Sequence, residues 1–238
     1  MISALLVSMA ALLGPQEDKE AVEAISKFKK EMNNPSTPAR AAAVSELGRV
    51  HHQKTLLAIL PWLTNDGGEV RKAAAAALAG FVDFKKVALP ALVSAIQPNQ
   101  KDAMVVESIF QSIGKLGDET TLPTVHRYCD DKDPKVAKAA LTAAGQIRKL
   151  QSIDYIIDLM KRLEKYLPDP SSGNAGVGGV GGVNIPGGGG DDPNLARARE
   201  VIPACIATLK VITKENWPSS KEWQLWWLKK KGSFNLDK

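Results

Sequence analysis

Within this chain one phrase returns four times, and that recurrence restricts the fold more than any other feature. The copies read "PARAAAVSELGRV" (38–50), "EVRKAAAAALAGFV" (69–82), "AMVVESIFQSIGKL" (103–116) and "PKVAKAALTAAGQI" (134–147). Aligned on the small residue near the end of each, Gly48, Ala79, Gly114 and Gly145 fall 31, 35 and 31 residues apart. Nine positions upstream stand Ala39, Val70, Val105 and Val136, and Asp102 and Asp133 lie twelve upstream of their glycines, where an N-cap or first-turn acid belongs. A unit repeated at this period cannot bury its apolar flanks alone, so copies must stack on one another.

After each copy comes a short polar link and then another apolar helix, with Pro61, Pro90 or Pro123 near its start; in the fourth, "SIDYIIDLM", Tyr155 takes the proline's place. Proline is tolerated in a first helical turn, where its missing N–H has no partner to lose; deeper, as Pro61 is expected to lie, it kinks the helix. The stretch "SIGKLGDETTLP" shows the punctuation in full. Gly114 is read as a packing residue and Gly117 as a left-handed stop, with Asp118 and Thr120 capping the next helix. Aromatics make up only 5% of the chain and alanine is abundant, which favours closely packed helices over sheet. The expected architecture is all-α: a right-handed α-solenoid of about five helix pairs.

The segments "DPKVAKAALTAAGQI", "EVRKAAAAALAG" and "IGKLGDETTLP" resemble the HEAT repeat family, in the short bacterial form shared with bilin-lyase-like proteins. The resemblance runs from about Asn33 to Met160. It implies an extended face built from the second helices of the repeats. In one respect the chain departs from the family pattern. The arginine that follows the conserved-type valine position appears as Arg40 and Arg71, but Val106 and Ala137 replace it later, so an unbroken Arg–Asp ladder is not expected.

The ends differ from the middle. Residues 1–15 read as a signal peptide: an uncharged run from Ile2 to Leu13, too short to span a bilayer, with small residues placed for cleavage after Ala10. A basic residue before that run is missing. A periplasmic or secreted protein is expected on this pattern, with the cytoplasm as the alternative. Repeats occupy 16–166. Residues 167–191 form a flexible insertion in which half of the 20 residues from Ser171 to Gly190 are glycine. That tract lacks Gly-Lys-Ser/Thr and no strand precedes it, so it is not read as a phosphate loop. Residues 192–215 give a last repeat helix, which Pro203 is expected to kink or break.

The segment 216–238 is a tryptophan-rich cap and basic tail. Trp223, Trp226 and Trp227 share one helical face and, with Trp217, are placed to close the apolar flank of the last repeat. Lys229, Lys230 and Lys231 beside them suggest an alternative, an indole face resting on a membrane surface or a partner. The stretch from Lys214 to the end carries +3 of the chain's +5 net charge.

Chemistry is sparse. Cys129 and Cys205 form no CxxC or Cys/His cluster, so neither zinc nor haem is indicated, and no cofactor is expected. Both cysteines read as small buried side chains. His51 and His52 lie in a polar link. His126 and Cys129 stand one turn apart without a third orienting group, so no catalytic residue is assigned. Relatives acting as lyases or DNA-repair glycosylases share the fold, and fold does not specify function. The reading is a monomeric, non-catalytic protein-interaction scaffold whose partner face comprises Arg40, Arg71, Lys72, Glu107, Lys135 and Lys138. Nucleic acid is disfavoured because Asp102, Val105, Val106 and Glu107 interrupt the basic track and aromatics are not interleaved with it.

Overall fold

A computed structural model describes residues 15–168 and 192–236, which form two compact units, one ending at Thr121 and the other starting at Leu122. Residues 1–14 of the expected signal segment and 169–191 of the glycine-rich insertion lie outside the described residues. Among those described there is helix and no strand.

The first unit holds α1 (Pro15–Glu31), α2 (Thr37–Leu47), α3 (Gln53–Ile59), α4 (Gly68–Leu78), α5 (Lys85–Ile96) and α6 (Ala103–Leu116). Helices α2, α4 and α6 stack directly on one another as one layer, and α1, α3 and α5 form the other. Helix α1 packs on α2, and α5 packs far more on α6 than on α4. The repeated phrases therefore occupy the second helix of each pair. The second unit follows the same plan, with α7 (Leu122–Cys129) paired to α8 (Pro134–Ile147) and α9 (Gln151–Glu164) paired to α10 (Pro193–Thr213). Helix α8 stacks on α10, while α11 (Ser220–Lys230) packs on α9. Each unit thus has the local architecture of an α-solenoid, with three pairs in the first, and two pairs and a terminal helix in the second.

Small residues let the second helices approach closely. Gly48, at the end of α2, is so near α4 that a Cβ there would lie 2.5 Å from the Ala77 Cβ. In the second unit Gly145 faces α10, where a Cβ would meet the Thr208 Cγ2 at 3.3 Å. Gly114 is buried within α6, and Ala79, its counterpart in the second copy, is half-buried at the end of α4. At this separation hydroxyls bridge the helices. Ser108 Oγ donates to the Lys72 carbonyl at 3.1 Å and Ser112 Oγ to the Ala75 carbonyl at 2.7 Å, joining α6 to α4. Thr208 Oγ1 donates to the Leu141 carbonyl at 3.2 Å, joining α10 to α8. Larger apolar side chains, among them Leu56, Ile59, Leu78, Phe81, Leu92, Ile96 and Ile109, fill the space between layers in the first unit with essentially no exposure.

The helix ends follow the expected chemistry. Asp102 and Asp133 cap α6 and α8 by accepting from Val105 N and Lys135 N. Gly117 ends α6 with φ 61° and ψ 47°, a left-handed conformation that an L side chain would strain. Asp118 accepts from both the backbone N–H and the hydroxyl of Thr120, which draws its carboxyl down to about 2. The prolines behave less uniformly. Pro123 sits in the first turn of α7, and at Pro61 α3 gives way to a 3₁₀ turn over Leu60–Leu63. Pro90 lies inside α5, and Pro203 does not break its helix: α10 runs unbroken from 193 to 213. Both rings are exposed, so the carbonyl four residues earlier that loses its N–H partner faces solvent rather than the core.

Candidate functional site

The six residues expected to form a partner face separate into two groups. Arg40, in the first turn of α2, directs Nε and Nη2 at the two carboxylate oxygens of Asp66, both at 2.6 Å. Its Nη1 donates to the Asn34 and Pro35 carbonyls. Asp66 lies in the link before α4 at φ 77°, and the Arg40 guanidinium holds its carboxyl below the usual range. Arg71 repeats this on α4: Nη1 donates to Asn99 Oδ1 at 2.6 Å and Nη2 to Asp102 at 3.2 Å, in the link before α6. Each arginine therefore ties its helix to the link that launches the next second helix. Val106 and Ala137 occupy the later positions and are buried, so the ladder has two rungs, both in the first unit.

Asn99 is the member of this arrangement that sequence reasoning missed. It is 1% exposed, and its Nδ2 donates to the carbonyls of Leu63 and Ala95 while Oδ1 receives Arg71. Nothing in "QPNQKD" distinguishes it from an ordinary link asparagine; its role depends on where α3 ends in space. In the second unit Lys138 reaches Glu200 at 2.7 Å, tying α8 to α10. Lys72, Glu107 and Lys135 are exposed on the second helices. A groove of about 600 Å³ opens along this layer of the first unit, floored by Ala73 and Ala76 and bordered by Ser45, Arg49, His51 and Lys115.

The histidines serve the fold. His51 packs edge-on against Phe81 at 5.4 Å. His52 caps α3, its Nδ1 accepting from Lys54 N at 3.0 Å. His126 is half-buried, stacked on Tyr155 at 4.4 Å, with Nε2 3.0 Å from Ser152 Oγ; burial lowers its pKa. Cys129 is fully buried, and burial pushes its thiol well up; Cys205 is likewise buried and pushed up to about 12. Cys129 is sealed from solvent and burial keeps its thiol protonated, so it is not an accessible nucleophile beside His126. Among the described residues no group of three or more His, Cys, Asp or Glu side chains is placed to hold a metal ion.

The indoles point inward. Trp223, Trp226 and Trp227 are 0%, 9% and 4% exposed, and form an aromatic cluster with Phe234. Trp227 Nε1 donates to Asp154 of α9 at 2.8 Å, and Lys231 reaches the same carboxylate at 2.9 Å. Ser219 caps α11, and the Glu164 carboxylate of α9 accepts from Ser220 N and Oγ. Trp217 lies half-buried in the loop before α11. These contacts close the flank of α9. The three indoles of α11 are thus packed within the chain rather than presented at its surface.

The family model for HEAT repeats matches residues 25–109 and 99–166, more than half of the chain. The chain belongs to the HEAT repeat family. No curated protein matches it. Repeats of this family commonly mediate protein–protein interaction and are typically non-catalytic.

Proposed function

We propose that this protein is a non-catalytic scaffold that binds a protein partner along the exposed second helices of its first unit. The observation that carries this reading is the division of labour among the charged residues. Arg40, Arg71 and Lys138 are held in ties between successive repeats, whereas Lys72 of α4, Glu107 of α6 and Lys135 of α8 project into solvent. Side chains that maintain the stack are thus distinct from those free to make contacts, as an extended recognition face requires. The alanine floor of the groove supports the same reading, since Ala73 and Ala76 allow a partner's side chains to approach the helix backbones.

The test is site-specific photocrosslinking in the native host, with a photoreactive residue at Ala76, Lys72 or Gln111. A discrete protein adduct at these positions, absent when the same residue replaces exposed Lys86 of α5, supports the reading. Adducts no different from the α5 control, from a chain with native helical content, contradict it.

A further inference from the structure

The terminal helix α11 is apolar on two opposite sides. At about 100° per residue, Leu225 and Leu228 project away from Trp223, Trp226 and Trp227. Exposure agrees: Leu225 is 52% and Leu228 70% exposed, the latter more than any other large apolar side chain among the described residues. The indole side is fully occupied by α9, so the leucine side is a second apolar stripe that the fold does not use.

Its surroundings are cationic. Lys221 lies on the same side as the leucines and Lys229 flanks them, both exposed; by the same rotation Lys230 falls on the indole side. The neighbouring acids are engaged elsewhere. Glu222 accepts from Ser219 Oγ at 2.8 Å, Asp154 receives Trp227 and Lys231, and Glu164 receives Ser220. Exposed leucines beside Lys221 and Lys229 fit an anionic surface. The same lysines oppose pairing of two copies through this stripe, because like charges would face each other. No described helix is long and apolar enough to cross a membrane, so the contact would be peripheral.

We propose that the outer stripe of α11 rests in the headgroup region of an anionic phospholipid bilayer, with Leu225 and Leu228 entering it and Lys221 and Lys229 meeting phosphates. The indoles act as the internal anchor that holds the helix to the body of the second unit. With two leucines the attachment is weak, reversible and sensitive to salt. It is separate from the scaffold role of the second helices.

The full chain is tested by co-sedimentation with vesicles of equal parts phosphatidylcholine and phosphatidylglycerol, and with phosphatidylcholine alone. The expected result is binding to the mixed vesicles only, weakened by about tenfold or more in the Leu225→Ser/Leu228→Ser double variant and suppressed by raised salt. Because both leucines are exposed, near-ultraviolet circular dichroism of the indole cluster should be unchanged in that variant, which separates lost binding from lost folding. Groove substitutions such as Ala76→Glu should leave vesicle binding intact, so the two proposals fail independently. Absence of binding to mixed vesicles overturns the proposal, as does binding that survives the double substitution. A vesicle-independent dimer, or capture of an acidic protein segment without lipid binding, each abolished by that substitution, assigns the stripe to another occupant and overturns it equally.

Discussion

At the scale of the residue, the fold turns on a few positions where a single methylene decides whether two backbones can meet. Gly48→Ala forces a Cβ to within 2.5 Å of the Ala77 Cβ, and both atoms are fixed to helix backbones. A loss of about 1–3 kcal/mol is expected in urea denaturation. Gly145→Ala makes its tightest contact with the Thr208 methyl at 3.3 Å, which can shift by a few tenths of an ångström, so its cost should be smaller. Gly232→Ala meets nothing within 4 Å and should be neutral, within about 0.5 kcal/mol. The order of the three matters more than any one value. Gly48 and Gly145 were legible because they recur in register. The bridging hydroxyls of Ser108, Ser112 and Thr208 were not, since a serine within a helix ordinarily bonds its own preceding turn; only the close approach of the next helix offers a foreign carbonyl. His126 supplies a pH dependence. Burial lowers its folded pKa below the ordinary value of about 6.5, so the unfolded chain binds the proton more readily. Its contribution is fully present above that value and is lost as pH falls through the lowered one. In urea titrations between pH 7 and 5, His126→Gln should flatten that decline; an unchanged slope would assign the effect to another group.

At the scale of the element, helices are placed by what their links hold. The Asn99 side chain joins the end of the α3 segment, the end of α5 and Arg71 of α4. Asn99→Ala leaves a buried carbonyl and a guanidinium short of a partner and should destabilise the chain by about 1–3 kcal/mol. In a double-mutant cycle with Arg71→Met, the two losses should not add, because they remove one shared bond. Caps were readable from sequence: Asp102, Asp133 and Gly117 each perform as their residue types and spacing indicate. The proline expectations were less secure. Pro203 should interrupt α10 by propensity, yet the helix continues, because proline disrupts most where the orphaned carbonyl is buried and this one faces outward. Burial on one side of a long helix is a tertiary fact that a local rule does not contain. The same limit applied to the indoles. Their shared face was evident, but whether that face turned toward α9 or outward depended on the Asp154 and Glu164 carboxylates waiting on α9.

At the scale of the whole molecule, a stack of repeats has no single core, so damage should stay local. The first unit has its Arg40–Asp66 and Arg71–Asp102 rungs. The second relies on Lys138–Glu200, on Asp130 receiving both Arg162 and Arg197, and on the tryptophan cap. Trp223→Ala removes the largest fully buried side chain of that cap and should cost about 3–5 kcal/mol. By hydrogen exchange the loss of protection should be concentrated in α9 and α11, with α2 and α4 unchanged; uniform loss across the chain would mean that the repeats unfold as one. The number of helix pairs was legible from the repeat period. The division after Thr121 was not, because the Gly117–Asp118 punctuation there looks like any other link and only packing distinguishes it. The partner face was legible only as a row of positions. Which charges hold neighbours and which face outward required the geometry of the links.

The account depends most on successive second helices meeting at their small residues. That proximity can be measured directly in solution as a nuclear Overhauser effect between the Gly48 α-protons and the Ala77 methyl. With a Gly48 Cβ position only 2.5 Å from that methyl carbon, the cross-peak should be strong, and a weaker one should connect the Gly145 α-protons to the Thr208 methyl. If assigned spectra of the folded chain lack both, the second helices do not stack as described and the architecture proposed for both units is wrong.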